Sequence, residues 1–538
     1  MKHRRLVCLF IASLLSVAGA AAPDAYPGMD TPPPAGTAAP LVDAYGQNAH
    51  ADWPGKIRAD ADFAVRQKAE LADLAAQPGR AEWNRYGGWA DGPQFEATGF
   101  FRTKKHAGRW WLVDPAGRLF FSFGLNAVAD HSRTLITERE NLFPPLPARD
   151  GPLAVAWGSA SNIFKGNLAG RAGTTFDFHV ANLLRRHGPG PAAARAAADA
   201  LVARRLRSWG FNTMGGWTPA ARREVLATPY AIAVSYAAPG IEGAHLNWKK
   251  FPDPFHPAFL PALRKGFARA AGRSVGDPYC IGYFVDNELI WGDAGTLAAA
   301  ALASPAAQPA KQAFLKRLRA RYRDIGVLNA AWGTTHANFA ALAAATTAPT
   351  TEAGQADLRD FTRVLMETYF ATVRDFLREV APRHLYLGPR FVHSWDLAGP
   401  AREIAARYCD VISFTSYTDT FAEVRLPEGL DRPLLIAEIG FGAADGRYYT
   451  GQLRWMKPVR TQPARAVKWQ AWLAAALAHP AVVGMHWFCY ADQPLTGRPF
   501  DGENFPFGFV DITDQPYPAM VAAQRAVTTG AYARRHNP

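Results

Sequence analysis

The sequence predicts an α/β protein built around a (β/α)8 TIM barrel, with long loop insertions and a short N-terminal extension of a helix and a hairpin. Eight short apolar runs recur between residues 120 and 490, most of them separated by helical stretches. Near-continuous apolar runs are typical of parallel strands that are buried on both faces. No GxGxxG motif follows the first run, which disfavours an open dinucleotide-binding sheet.

Each predicted strand ends in a polar or aromatic residue. The runs are FFSFGLNAV (120–128), FNTMGGWT (211–218), YAIAVSY (230–236), CIGYFVDNE (280–288), LYLGPRF (385–391), VISFTSYT (411–418), LLIAEIGF (434–441) and VVGMHWFCY (482–490). The polar or aromatic residues at or near these ends are Asn126, Trp217, Tyr236, Glu288, Arg390, Tyr417, Glu438 and Trp487. Because the carboxyl ends of barrel strands meet at one face, we expect these side chains to lie close together.

The first 50 residues indicate export. Basic residues at the start are followed by an apolar run over residues 6–17, which is too short to span a bilayer, and by small residues up to position 22. We therefore predict a signal peptide over 1–22 and a Pro- and Ala-rich linker over 23–50. The protein is expected in the periplasm or the medium, with no membrane insertion once the signal is removed.

The remaining chain is predicted to contain an N-terminal extension over 51–119 and a catalytic barrel over 120–530. The extension comprises a helix over 56–76 and a hairpin within 99–124, which we expect to cover the bottom of the barrel. Two insertions interrupt the strand–helix pattern. They lie at 131–190 and at 293–384, and the second contains the helical stretch 314–334.

The charge is strongly basic but not clustered. The formal net charge is +13, and removal of Lys2, Arg4 and Arg5 with the signal leaves 13 − 3 = +10. This balance is a weak indication of anionic partners such as sulfated or phosphorylated glycans. Since no dense Lys/Arg run is interleaved with aromatic residues, nucleic acid is not an expected partner.

Metal and disulfide chemistry are not expected. Cys280, Cys409 and Cys489 remain after signal removal, and each lies in an apolar strand-like segment. Buried free thiols are therefore predicted rather than a disulfide framework. No CxxC or HExxH spacing indicates a metal site, and no cofactor is expected.

Two glutamates follow apolar strands and form the predicted catalytic pair. Glu288 follows the fourth strand, and Glu438 follows the seventh, 438 − 288 = 150 residues later. Retaining glycoside hydrolysis needs two carboxyl groups about 5 to 5.5 Å apart. We assign Glu288 as the acid/base and Glu438 as the nucleophile, whose negative charge should raise the pKa of Glu288. The alternative for either residue is a salt-bridged strand-end carboxylate, and Asp286 is interpreted as structural.

Four further strand-end residues are predicted to assist this pair. Asn287 would hydrogen-bond the sugar 2-hydroxyl, with an ordinary strand-end asparagine as the alternative. Tyr417 could donate to Glu438, and Trp487 could form the floor of the first sugar subsite, unless both are core residues. Arg390 is either a substrate ligand or a partner of Glu438.

The remaining candidate substrate contacts are less specific. Asn126 and Trp217 are included because they end the first two strands. His393 and His486 are equally compatible with packing and with substrate contact. Glu503 lies in the loop GRPFDGENFPFG and could contact sugar or stabilise a turn.

Several segments resemble clan A glycoside hydrolases, and more closely the β-agarase branch of that clan. They are GRWWLVDPAGRLFFSFGLN, RLRSWGFNTMGGW, DPYCIGYFVDNELIWG, YLGPRF, IAEIGF and WFCYADQPLTGRPFDGENFPFGFVDITDQPYP, which together span about residues 99–519. The stretch from 314 to 334 also resembles a helix of clan A β-galactosidases. The region before residue 99 is shorter than the sugar-binding β-sandwich of many agarases, and the insertion at 131–190 has no match.

The resemblance implies a retaining mechanism, exo-type cleavage of β-galactosidic links and no catalytic metal. It also implies that Asn287, Glu288, Tyr417, Glu438 and Trp487 keep their family roles. The expected function is that of an exported β-glycosidase acting on agar-type or related β-linked oligo- or polysaccharides. A hydrolase or transglycosylase of another β-glycan, such as a periplasmic glucan, is the first alternative. A carbohydrate-binding barrel without turnover is the second.

Overall fold

A computed structural model describes residues 36–129, 133–166, 168–394, 399–427, 429–449 and 458–537. The predicted signal peptide and the first part of the predicted linker lie outside these residues. The helices are α1 (Asp60–Ala76), α2 (Phe178–His187), α3 (Pro191–Trp209), α4 (Ala220–Val225), α5 (Phe259–Ala271), α6 (Thr296–Ala303), α7 (Pro309–Tyr322), α8 (Ile325–Trp332), α9 (Phe339–Ala344), α10 (Glu352–Val380), α11 (Ala401–Tyr408), α12 (Gln462–Ala478), α13 (Pro518–Thr528) and α14 (Ala531–His536).

The strands form one parallel sheet and two small antiparallel sheets. They are β1 (Arg102–His106), β2 (Arg109–Val113), β3 (Leu119–Phe120), β4 (Ser122–Leu125), β5 (Arg133–Leu135), β6 (Trp157–Ala160), β7 (Gly173–Asp177), β8 (Thr213–Met214), β9 (Tyr230–Val234), β10 (Cys280–Val285), β11 (Leu385–Tyr386), β12 (Phe391–Val392), β13 (Ile412–Thr415), β14 (Leu434–Ile439) and β15 (Val482–Trp487).

The parallel sheet is the predicted barrel. Its order is β11-β10-β9-β8-β4-β15-β14-β13-β12, so all eight predicted strands are present and the fifth is split into β11 and β12. The split strand joins the two edges of the sheet. Leu385 pairs with Gly282 of β10, and Phe391 pairs with Phe414 of β13. The (β/α)8 fold class predicted from the sequence is confirmed.

The N-terminal extension closes the amino-terminal end of the barrel. Helix α1 lies within the predicted helix, and β1, β2 and β3 form an antiparallel sheet in the predicted hairpin region. Leu112 and Phe120 of this sheet pack in one buried cluster with residues near the starts of barrel strands, including Ile281, Leu435 and Val483. Burial of these apolar side chains removes the barrel bottom from water, which is the main force holding the extension in place.

Both insertions fold into secondary structure of their own. The first contains the antiparallel sheet β5-β7-β6 and helix α2. The second contains helices α6 to α10. The stretch predicted as helical over 314–334 forms two helices, because Arg323 adopts a left-handed φ of 60° and the Asp324 side chain then caps α8.

Cys280, Cys409 and Cys489 are buried and unpaired, as predicted. Burial raises the pKa of the Cys280 thiol to about 12, which keeps it protonated and unreactive at neutral pH. Within the part of the chain that the structure describes, no helix combines the length and apolar character needed to cross a bilayer.

A buried ionic cluster ties the extension to the barrel. Arg205 of α3 is fully buried, and its guanidinium donates to Glu70 of α1 at 2.6 Å and to Asp514 at 2.5 Å. Arg186 of α2 pairs with the same two carboxylates. The Arg205 guanidinium also donates to the Tyr490 hydroxyl at 2.6 Å. The charges are balanced within the cluster, so removing one carboxylate would leave a buried guanidinium without its partner.

We expect Glu70→Gln to lower the free energy of unfolding by about 3 kcal/mol, because two buried arginines lose a shared anion. The matched control is Glu379→Gln, which breaks the half-exposed ion pair with Arg264 and should cost less than about 1 kcal/mol. Urea unfolding followed by tryptophan fluorescence measures both changes. Equal midpoints for the two variants would contradict a stabilising role of the cluster.

Candidate active site

The carboxyl-terminal ends of the barrel strands carry a cluster of strained residues. Ala127, Trp217, Asp286, Glu288 and Arg390 all have positive φ values, between 48° and 70°, although none is a glycine. A left-handed conformation costs a residue with a side chain about 1 to 3 kcal/mol. Such strain concentrates at functional sites, and here it aims side chains from the first, second, fourth and fifth strands at one face.

Glu438 is held by two donors at the end of β14. It is 6% exposed. The Arg390 guanidinium donates through Nη2 to Oε2, and the Tyr417 hydroxyl donates to Oε1. Both carboxylate oxygens are therefore fixed in orientation. The predicted hydrogen bond from Tyr417 and the predicted partnership with Arg390 are both present in the structure.

Arg390 connects three barrel strands. Its side chain is fully buried, and Nε donates to Asn287 Oδ1 at 2.8 Å while Nη1 donates to the Ala437 carbonyl at 3.1 Å. The guanidinium carbon lies 4.3 Å from the ring centroid of Trp217. A planar donor fork with this many fixed acceptors can orient groups on the fourth and seventh strands simultaneously.

Glu288 lies just beyond the end of β10 in a buried environment that favours its neutral form. It is 9% exposed, and Oε2 accepts a hydrogen bond of 2.7 Å from Trp248 Nε1. Burial raises the pKa of Glu288 to about 7, and the negative charge of Glu438 contributes to the same direction. The Trp248 hydrogen bond and the charge of Arg390 act in the opposite direction. The carboxyl group can therefore donate or accept a proton near neutral pH.

Trp248 was not identified by the sequence analysis. It lies in a loop after β9 that has no regular spacing of apolar residues. The one indication in the sequence is an aromatic residue within the polar stretch HLNWKK. The next residue, Lys249, forms an ion pair with buried Asp286. Asp286 also accepts hydrogen bonds of 2.7 Å from the hydroxyls of Tyr236 and Tyr369. These contacts support the interpretation of Asp286 as structural, and they anchor the loop that places Trp248 on Glu288.

Asn287 and Trp217 remain available to a ligand at this face. The Asn287 side chain uses Oδ1 to accept from Arg390, and its amide nitrogen has no partner among the described residues. Trp217 is 37% exposed, and its ring meets Phe488 edge-on with centroids 6.0 Å apart. A half-exposed indole beside two catalytic candidates is suited to the apolar face of a pyranose.

Three predicted substrate contacts are instead enclosed in the protein. Trp487 is fully buried against Trp469 of α12, and its Nε1 donates to the Phe507 carbonyl at 2.5 Å. Asn126 is fully buried, and its Nδ2 donates to the Ala437 carbonyl at 2.9 Å. His486 is 1% exposed, and its Nε2 lies 2.8 Å from the Ser122 hydroxyl. None of them offers accessible surface to a sugar, so the structure corrects these three assignments to core roles.

His393 and Glu503 are also largely buried. Burial lowers the pKa of His393 to about 4, assisted by the charge of Arg402, so this ring is neutral at ordinary pH. Glu503 accepts from Gln493 Nε2 at 2.7 Å and forms an ion pair of 2.7 Å with Arg498. These contacts favour the loop-stabilising alternative for Glu503. Burial raises its pKa to about 8.

The first insertion contributes one ring to an aromatic wall beside Glu288. We use "aromatic wall" for the stacked rings of Phe164, Phe500 and Trp248, whose successive centroids lie 6.0 and 6.2 Å apart. The Phe164 amide donates to the Phe500 carbonyl at 3.0 Å, which joins the insertion to the loop after β15. Lys165 Nζ lies 3.9 Å from the Trp248 ring centroid. The sequence predicts that long loops at the catalytic end shape substrate subsites, without naming residues of this insertion.

The electrostatic coupling of the two glutamates leads to a direct test. In Glu438→Gln, the pKa of Glu288 should fall by about 1 unit or more, because the neighbouring anion is removed while the Arg390 cation remains. Tyr417→Phe is the control, since it removes a hydrogen bond to Glu438 but keeps the charge. Carbon-13 NMR of labelled glutamate carboxyls measures the shift. An unchanged pKa in Glu438→Gln would contradict the coupling.

The chain is similar to curated β-agarases. No protein-family model matches it. It is 33% identical to β-agarase B of Vibrio sp. (strain JT0107) over 543 residues, covering 92% of this chain and 55% of the relative. It is 30% identical to β-agarase A of the same strain, covering 92% of this chain and 52% of the relative. The chain thus spans about half the length of these two relatives.

The chain covers a larger share of several solved structures. An exo-β-agarase superposes with a TM-score of 0.84 at 31% identity, covering 92% of this chain and 73% of that one. The agarase AgWH50C superposes with a TM-score of 0.82 at 31% identity, covering 93% and 74%. PfGH50B superposes with a TM-score of 0.83 at 28% identity, covering 92% and 75%.

Proposed function

Because the chain belongs to the β-agarase family of glycoside hydrolases, we propose that it is an exported, retaining β-glycosidase that cleaves β-galactosidic links of agar-type chains from their ends. The observation that carries the proposal is the coupled pair of buried glutamates. Glu288 has a pKa raised to about 7, and Glu438 is oriented by Arg390 and Tyr417. The exo mode is supported by the solved exo-β-agarase, and export to the periplasm or the medium by the signal-like N-terminus.

In the first step, Glu438 attacks the anomeric carbon as the bond to the leaving oxygen breaks. Glu288 transfers its proton to that oxygen, so the leaving group departs as a neutral alcohol. Trp248 can only donate a hydrogen bond, and it occupies Glu288 Oε2. The acidic proton is therefore confined to Oε1.

In the second step, the ester between sugar and Glu438 is hydrolysed. Its formation removes the negative charge beside Glu288, and the pKa of the now ionised Glu288 falls. Glu288 takes a proton from water as the water oxygen bonds to the anomeric carbon. The ester bond breaks, Glu438 recovers its charge, and Glu288 is protonated again for the next cycle. Two inversions at one carbon give overall retention.

The remaining side chains are assigned as binding groups. The free amide nitrogen of Asn287 is positioned to donate to the sugar 2-hydroxyl, an interaction that strengthens in the transition state. Trp217 provides a platform for the sugar that forms the covalent intermediate. The aromatic wall lies on the side of the acid and is suited to the sugar that leaves. Its rings Phe164 and Phe500 are 42% and 54% exposed, which supports contact with a ligand.

The proposal is tested by digestion of agar oligosaccharides, aryl β-galactosides, aryl β-glucosides and bacterial glucans, with products sized and anomers followed by proton NMR. We expect release of disaccharides from the ends of agar oligosaccharides, with the β-anomer appearing first. Cleavage of glucans alone would overturn the substrate. Products longer than the supplied substrate would indicate a transglycosylase. If the intact protein cleaves none of these substrates, it is a carbohydrate-binding barrel without turnover.

Glu288→Gln should slow substrates according to their leaving groups. Cleavage of an agar oligosaccharide should fall by about 10²- to 10⁴-fold, because the departing alkoxide is no longer protonated. Formation of the covalent intermediate from a dinitrophenyl β-galactoside should be nearly unchanged, since that leaving group needs no proton. Glu503→Gln is the matched control, because it removes another buried glutamate of raised pKa and should leave the ratio between substrates unaltered. Equal losses on both substrates in Glu288→Gln would remove it from the role of acid.

Trp248→Phe should shift the alkaline limb of the pH profile of kcat/KM to higher pH. The indole N–H stabilises the ionised form of Glu288, so its loss raises the pKa and the acid stays protonated for longer. Cleavage rates of substrates with poor leaving groups should also fall, since the proton is no longer confined to Oε1. The control Phe500→Leu disrupts the aromatic wall but keeps the hydrogen bond. A shift of the same size in both variants would show that packing, rather than the N–H group, determines the pH of the alkaline limb.

A further inference from the structure

A cavity lies at the end of the barrel opposite the two glutamates. Its volume is about 450 Å³, and its lining includes Phe211, which lies just before β8, and Pro229, which lies just before β9. Glu288 and Glu438 instead lie at the carboxyl ends of their strands. The cavity is therefore separated from the candidate active site by the length of the barrel, and no role in the proposed reaction accounts for it.

The charge of the cavity lining is one-sided. Four arginines, Arg80, Arg85, Arg204 and Arg207, are among its eighteen lining residues, and none of the eighteen is an aspartate or a glutamate. Arg80 is 8% exposed and donates to Thr528 Oγ1 and to a backbone carbonyl. It forms no ion pair with a described carboxylate. Burial lowers the pKa of Arg80, which reflects the cost of holding this charge away from water.

Of the four guanidiniums, that of Arg80 is buried and those of Arg85, Arg204 and Arg207 are exposed. The Glu82 carboxylate outside the lining acts on Arg80 and raises its pKa against the effect of burial. The cavity lining itself therefore carries only positive charge, which favours an anionic ligand. The guanidinium fork matches the oxygens of tetrahedral oxyanions, which it binds through paired, charge-assisted hydrogen bonds. Arg204 and Arg207 lie one turn apart on α3 and are exposed, so both can reach a ligand in the cavity.

Much of the rest of the lining is apolar, although it also includes Asn84, Asn212 and Thr228. Leu74, Pro78, Ala203, Leu226 and Pro229 supply aliphatic surface between the arginines. The volume falls within the roughly 300 to 1,000 Å³ of small-ligand sites. A ligand that fits combines an oxyanion with a compact body carrying C–H faces, which describes a sulfated sugar residue.

We infer that this cavity is an accessory site for sulfate esters carried on a saccharide chain. The oxyanion chemistry rests on the arginines alone, whereas the choice of a saccharide as carrier rests on the proposed function. Binding at this end would keep a polymer on the protein while its ends are processed at the opposite face. The gain arises from a higher effective concentration of chain ends rather than from any change in the chemical step.

The test measures binding by titration calorimetry in the Glu438→Gln background, which prevents consumption of the ligand. The probes are sulfated galactan oligosaccharides, unsulfated agarose oligosaccharides of equal length, sodium sulfate and sodium phosphate. The variant is Arg204→Gln/Arg207→Gln. Its control is Lys265→Gln/Lys316→Gln, which removes the same charge from exposed positions on α5 and α7.

The arginine variant should weaken binding of the sulfated oligosaccharide by about tenfold or more and leave the unsulfated one unchanged. The lysine control should change neither by more than about twofold. Equal weakening in both variants would show a general polycation effect and overturn the site. Sulfate or phosphate binding without oligosaccharide binding would overturn the saccharide assignment.

A second readout separates this inference from the proposed function. With Glu438 restored, the arginine variant should retain its rate on a neutral aryl β-galactoside and lose rate on sulfated polymer. If agar-type substrates are not cleaved at all but arginine-dependent binding persists, the proposed function fails and the site stands. If cleavage occurs and the arginine variant is indistinguishable from wild type on the sulfated polymer, the site fails and the function stands.

Discussion

The guanidinium of Arg390 is the interaction on which the candidate active site depends. It places a buried cation against Glu438 and bonds simultaneously to Asn287, Glu438 and the Ala437 carbonyl. Two carboxyl groups enclosed in one barrel mouth would repel each other without it. Its charge lowers the pKa of Glu288 while burial and Glu438 raise it, so the acid is poised near neutrality rather than held permanently protonated.

The position of this cation follows from how the barrel closes. The fifth strand is divided into β11 and β12, and Arg390 lies in the gap with a φ of 55°. The left-handed turn directs its side chain across the barrel mouth toward β14. The Arg390 carbonyl accepts from the Glu288 amide at 3.2 Å, so the same residue also fixes the backbone of the acid. Strain at one position thereby positions both members of the catalytic pair.

The sequence predicts the barrel strands and the residues that end them, because both follow from the pattern of apolar residues. It does not predict which way a strand-end side chain points, nor which loop residues reach the site. The barrel strands and the strand-end positions of Glu288, Glu438 and Arg390 follow from apolar runs, because parallel barrel strands are buried on both faces. Trp487 was expected at the barrel mouth but packs against the helix layer. Successive strand side chains point to opposite faces, so a shift of one residue moves a side chain from one environment to the other. Trp248 lies in a loop whose sequence has no regular spacing of apolar residues, and only the folded chain brings it to Glu288.

The central claim is that Glu438 forms a covalent bond to the sugar. Its most direct test is incubation with a dinitrophenyl 2-deoxy-2-fluoro-β-galactoside, whose fluorine slows hydrolysis of the glycosyl-enzyme, followed by proteolysis and mass spectrometry of the labelled peptide. The account predicts one fluoro-sugar per chain, attached to Glu438 within LLIAEIGF. A label on Glu288 or Glu503 would contradict it, as would turnover of β-galactosides that proceeds with inversion and leaves no label.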